Sequence, residues 1–123
     1  MLIIVSMVTK EQIEFTEFLE IEKKLDIRIG QVLAAERVPK SDKLLKLSVK
    51  FDFESEQLLT VVTNIGATIV PESLIGLTMP FIVNLKPSKM MGITSEAMIV
   101  VGTNLQGQME VGLDYMSIGT KLL

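Results

Sequence analysis

Leu45, Leu47, Val49, Phe51 and Phe53 alternate with Lys46, Ser48, Lys50 and Asp52. Strict period two over this length sets one row of side chains in a core and the other in water, which is a half-buried β-strand. A helix would scatter the same residues around its circumference. The period recurs upstream, where Leu25, Ile27 and Ile29 alternate with Asp26 and Arg28, and Val32 and Ala34 with Gln31 and Leu33. Gly30 inside this long strand suggests a bulge or a sharp bend, as at a barrel corner. Residues 58–63, 78–83 and 96–101 read as three further strands, and the segment around Val111 and the closing GTKLL as short edge-like pieces. Five strands spaced by short turns predict an all-β antiparallel barrel, closed or partly open, because closure removes exposed strand edges.

The connections are equally legible. In residues 36–43, Pro39 biases Val38 away from helix, and Ser41 and Asp42 can bond back to the backbone, so the segment is a turn. Residues 71–74 hold at most one helical turn, with Glu72 and Ser73 outward and Gly76 as its stop. Residues 9–22 carry the one helix-like pattern. Thr9 and Gln12 have capping-box spacing, and Phe15, Phe18, Leu19 and Glu22 keep three-and-four spacing. Leu2 to Val5 reads as a short strand or a packing arm. The expected organisation is an arm and helix over residues 1–22, suited to dimerisation, and a barrel domain over residues 23–123.

Composition narrows the function. The chain has 123 residues, 48% of them hydrophobic, with no histidine, cysteine or tryptophan. The usual zinc ligand sets, a cysteine nucleophile and the commonest neutral-pH base are therefore missing. No GxxxxGK loop and no SxxK spacing occurs, and isolated Asp42, Asp52 and Glu72 fit turns and a helix start. The expectation is a non-enzyme with no cofactor and no metal. The apolar opening, MLIIVSMV, is too short to span a bilayer and lacks a signal-peptide pattern, so no membrane association and a cytoplasmic location are expected.

Charge is unevenly spread. The net charge is -3, yet residues 23–50 hold eight bases against three acids, and residues 51–85 hold four acids and no base. Lys86 and Lys89 then reappear in NLKPSKM, which reads as a loop. A basic segment in a mildly acidic chain permits a local polyanion site while limiting indiscriminate binding. Lysine on a flexible stem suits phosphate, and Pro87 lowers the cost of ordering the loop. Lys46 and Lys50 share one strand face and extend the patch or simply solvate it, and Arg28 lies on the polar side of its own strand. Aromatic platforms for base stacking are scarce: five phenylalanines sit mainly on apolar faces, and Tyr115 is late. Met90, Met91 and Met98 read as core and rim packing.

KKLDIRIGQVLAAERVPKSDKLLKLSV, TVVTNI and SLIGLTMPFIVNLKPSKMMGITSEAMIVVG together resemble the tRNA-binding domain found at the C-terminus of many bacterial methionyl-tRNA synthetases, in the endothelial-monocyte-activating-polypeptide class of cofactors, and as free-standing homodimers. The resemblance implies an oligonucleotide-binding (OB) barrel, homodimerisation, and non-catalytic binding of structured tRNA. Carried over by position, it implies contacts from Lys43, Asn84, Lys86, Lys89 and Ser95, with Asn84 also readable as a turn former and Ser95 as a strand-start cap. It also brings an aminoacyl-tRNA synthetase into view as a partner. Met91, Glu96 and Ala97 depart from the common pattern, and Glu96 adds a negative charge beside the lysines. The same barrel occurs in an export-related, chaperone-like homodimer, which these departures approach and which implies an unfolded polypeptide as ligand.

Overall fold

The computed structural model describes residues 7, 9–113 and 116–123. One helix, α1 (Phe15–Glu22), precedes the strands β1 (Ile27–Arg37), β2 (Leu45–Lys50) and β3 (Leu59–Thr63). A 3₁₀ turn (Pro71–Leu74) leads to β4 (Thr78–Ile82), then to β5 (Ser88–Met90), β6 (Ile93–Ser95) and β7 (Met98–Ile99). Three two-residue strands follow: β8 (Gly102–Thr103), β9 (Met109–Glu110) and β10 (Lys121–Leu122). The main sheet runs β3-β2-β1-β4-β7, all antiparallel, with β10 on β1. Long β1 serves both halves: residues 27–31 pair with β4, and residues 31–37 pair with β2. The result is a nearly closed five-stranded barrel of OB type, as the strand pattern predicts.

Its seam combines a backbone bond with side-chain bonds. Glu96 N–H donates to Thr60 O at 2.8 Å, and Thr60 N–H donates to the Glu96 carboxylate at 2.7 Å. Ser95 Oγ accepts Val62 N–H at 2.9 Å and donates to Ala97 O at 3.1 Å. These bonds satisfy the outer edge of β3, where a free row of amides would otherwise invite another chain. Inside, Leu45, Leu47, Val49, Val61, Leu74, Met79 and Phe81 are buried. Phe51 meets Phe81 edge-on, with ring centroids 5.4 Å apart. A Cβ on Gly30 would lie 2.6 Å from Val49 Cγ1 and 2.7 Å from the Phe51 ring, so this glycine serves close packing.

Several details differ from the sequence expectation. The bulge falls at Leu33, between the pairs Val32↔Val49 and Ala34↔Ser48, three residues after Gly30. It flips the strand's parity, so Ala34 lies outside although Val32 is inside. β2 ends at Lys50, and Phe53 is 69% exposed despite continuing the alternation. The fifth strand shrinks to Met98–Ile99. The helix is also shorter than residues 9–22: its N-cap is Glu14, which makes no side-chain cap bond, so the Thr9–Gln12 capping box is not formed. A capping signal contributes about 1 kcal/mol and cannot hold an early turn that has no surface to pack on. The arm reading for Leu2 to Val5 and the late Tyr115 lie outside the described residues.

Candidate nucleic-acid interface

With Leu45, Leu47 and Val49 directed into the core, Lys46, Ser48 and Lys50 face outward. Lys46 stands opposite Val62, and Ser48 opposite Thr60, so β2 and β3 share one outer face. β1 contributes Glu36 beside Lys46 and Ala34 beside Ser48. In OB barrels this face, with the loop joining the first two strands and the loop joining the last two, is where oligonucleotides bind.

The first of those loops is built by Ser41. Its Oγ accepts the amides of Lys43 and Leu44 at 3.4 and 3.1 Å, and Val38 N–H donates to Leu44 O at 3.0 Å. Lys43 is exposed, and its carbonyl accepts Gly66 N–H at 2.7 Å, which ties the turn to the end of β3. The second loop, residues 83–97, is not the plain loop expected of NLKPSKM. It contains the β5–β6 hairpin, with Ser88 opposite Ser95 and Met90 opposite Ile93. Met91 (φ 52°) and Gly92 (φ 82°) form its two-residue turn, both in the left-handed region. Two positive φ values in a two-residue loop are the type I′ geometry that matches strand twist.

The hairpin separates the two late lysines. Ser88 and Met90 face a cleft against β3, together with Lys86, whereas alternation turns Lys89 to the other side. Lys86 and Lys89 therefore do not straddle one site. Lys43, Lys50, Lys86 and Lys89 are in no ion pair among the described residues, and Lys46 meets Glu36 only at 3.9 Å. Such an exposed pair is weak and leaves the ammonium available to a stronger anion.

Three further candidates are engaged within the fold. The Asn84 side chain accepts Asp26 N–H at 3.0 Å and donates to Lys24 O at 2.6 Å, clamping the end of β4 to the link between α1 and β1. Ser95 is 5% exposed and spends its hydroxyl on the seam. Arg28 bonds Asp26 at 2.6 Å and reaches Gly119 O at 3.4 Å. Lys46 and Lys50 thus face outward from β2, Lys86 lines the cleft beside β3 and Lys43 is exposed in the β1–β2 turn, while Asn84, Ser95 and Arg28 are engaged within the fold. Glu96, suspected of weakening the patch, directs its carboxylate to the Thr60 amide. Met90, Met91 and Met98, expected as packing residues, are exposed at 36%, 57% and 53%. Their hairpin could have been found from the SKM-MG-ITS pattern, a glycine-containing pair between two short alternating runs.

Among the described residues, no group of three or more histidine, cysteine, aspartate or glutamate side chains is placed to hold a metal, and no helix is long and apolar enough to cross a membrane. Residues 27–117 match the family model described as "Putative tRNA binding domain". Methionine-tRNA ligase of Parabacteroides distasonis is 42% identical over 102 residues, which are 83% of this chain and 14% of the ligase. The chain thus spans about one seventh of that relative, and the shared part is the non-catalytic binding domain rather than the ligase's catalytic core. Among solved structures, a MetRS related protein from Pyrococcus horikoshii has a TM-score of 0.75 and 29% identity, covering 93% of this chain and all of that one. The chaperone CsaA of Bacillus anthracis has a TM-score of 0.68 and 27% identity, covering 92% and 100%. That family model spans residues 27–117, nearly three quarters of the length, and the chain belongs to the tRNA-binding domain family.

Proposed function

We propose that the chain grips the backbone of a folded tRNA without catalysis, as a homodimer, across the outer face of β2 and β3. The observation that carries this reading is that Lys46 and Lys50 point outward from β2 and Lys86 lines the cleft beside β3, on the face that OB barrels use, with Lys43 exposed in the turn that leads into β2. Four lysines supply point charges for phosphates, while the described part of that face offers no aromatic ring, so shape and charge dominate recognition. A dimer doubles a weak patch and raises avidity. Apolar Ile13, Phe15 and Ile21 on and beside a helix with no buried residue are the surface such a dimer would cover. The ligase relatives support a synthetase as the neighbour that receives the tRNA, and a tRNA ligand supports the cytoplasm as the site of its work.

The test is binding of mixed tRNA at two salt concentrations. Parent protein is expected to bind with micromolar or weaker affinity and a clear salt slope. Lys46→Ala and Lys86→Ala should each lower the slope by about one, with a smaller change for Lys89→Ala. A folded protein that binds no tRNA at low salt defeats the proposal.

A second reading, binding of unfolded polypeptide, is favoured by one feature. A cavity of about 280 Å³ opens at the other end of the barrel, lined by Phe51, Leu59 and Val83 with Arg28, Asp52 and Gln57 around them. Its likeness to the Bacillus anthracis chaperone adds support. Capture of a reduced, unfolded protein, unaffected by Lys46→Ala, would favour this reading over tRNA.

A further inference from the structure

The cleft between the β5–β6 hairpin and β3 has a volume of about 130 Å³. Val62 forms its floor, Leu85, Met90, Ala97 and Met98 its walls, and Lys86 its lip. Of the two hydroxyls that line it, that of Ser95 already serves Val62 N–H and Ala97 O, and that of Ser88 stands at the exposed hairpin strand. No carboxylate lines it. Its lining is mainly apolar, which suits a flat ring or an apolar group, yet two cations flank it. Lys86 lies on one side, and Lys46 stands directly across the ladder from Val62, at a Cβ spacing of about 5 Å.

We infer that this cleft takes one unstacked nucleobase of the bound RNA, with the adjoining phosphates held by Lys86 and Lys46. The inference rests on the tRNA reading and adds a base-binding subsite to a surface otherwise limited to phosphates. Charge decides the class of occupant. A nucleotide brings a ring for the thioethers of Met90 and Met98 and a negative charge for each lysine, whereas an apolar peptide side chain answers only the first. Methionine replaces the missing aromatic platform because its polarizable sulfur packs on a ring face or edge and its unbranched stem adapts to any of the four bases. Sequence preference at this subsite is accordingly slight.

The experiment compares two RNAs of equal length and phosphate number on the full chain: an oligoadenylate and the same backbone with abasic sites throughout. Intact RNA is expected to bind about tenfold more tightly, the scale of one stacked base. With methionine methyls labelled by carbon-13, the Met90 and Met98 signals should shift upfield through the adenine ring current, and Met109 should not move. Met90→Ala with Met98→Ala, both exposed positions, should abolish the preference and leave the salt slope intact. Equal affinity for the two RNAs, with the slope retained, overturns the base subsite while the tRNA reading stands. Failure to bind either RNA or tRNA overturns both. A neutral Leu- and Met-rich peptide that moves the two methyls where oligoadenylate does not assigns the cleft to polypeptide and equally overturns the inference.

Discussion

A hydroxyl that is 5% exposed, accepts one amide and donates to one carbonyl has little left to offer a ligand. Ser95→Ala strands the Val62 amide in a buried site, and such an orphan donor costs about 1–3 kcal/mol. Denaturant titration should therefore show a lowered midpoint with an unchanged slope, while tRNA affinity of the folded protein stays near the parent value. A direct RNA contact by Ser95 would reverse that pattern. Asn84 and Glu96 follow the same logic, since each supplies a side-chain oxygen where a strand end or edge leaves an amide unpaired. Asn84 and Ser95 were visible in the sequence as candidate contacts, and Glu96 as a charge set against the lysines. What the sequence did not reveal was the unpaired amide each one serves, because that amide belongs to a residue 33 to 58 positions away.

The β5–β6 hairpin is the element that decides what the candidate face presents. It covers the outer side of β3, buries Val62 to 4% exposure and creates the cleft beside Lys86. Its turn asks a methionine to adopt φ 52°. A left-handed residue other than Gly, Asn or Asp costs about 1–2 kcal/mol. Met91→Asn, which gives the Asn-Gly pair that type I′ turns prefer, is expected to stabilise the protein by roughly 0.5–1 kcal/mol, read as a raised unfolding midpoint. Hydrogen exchange at Met90 and Ile93 should slow in parallel. The bulge at Leu33 acts at the same scale. By inverting the parity of β1 it brings small Ala34 to the outer face next to Ser48, leaving a pocket of about 140 Å³ between Ala34, Glu36, Lys46 and Ser48.

At the scale of the whole molecule, barrel and helix stand in contrast. The barrel has a dense core, whereas α1 buries no residue; Phe15 is 70% exposed and, among the described residues, stacks on Phe18 alone, at 6.1 Å. If this face is covered by a second copy, Phe15→Glu should convert a dimer to a monomer in light scattering and leave the barrel's thermal transition nearly unchanged. A parent chain that is monomeric at the concentrations used would remove the dimer from the proposed function. The period-two rows of residues 45–49 and 59–63, the Pro71–Leu74 turn and the lack of histidine and cysteine are local properties, so the sequence by itself determined an all-β barrel without the usual catalytic or metal-binding groups. Lys46 and Lys50 were legible for the same reason, since outward positions on a strand follow from its alternation. Which lysines share a face, where the bulge falls and which polar side chains are spent on backbone depend on register and on contacts between distant segments. Those were decided only in the tertiary structure, where a shift of one residue exchanges the inner and outer faces and a buried amide must find its acceptor wherever the fold has placed one.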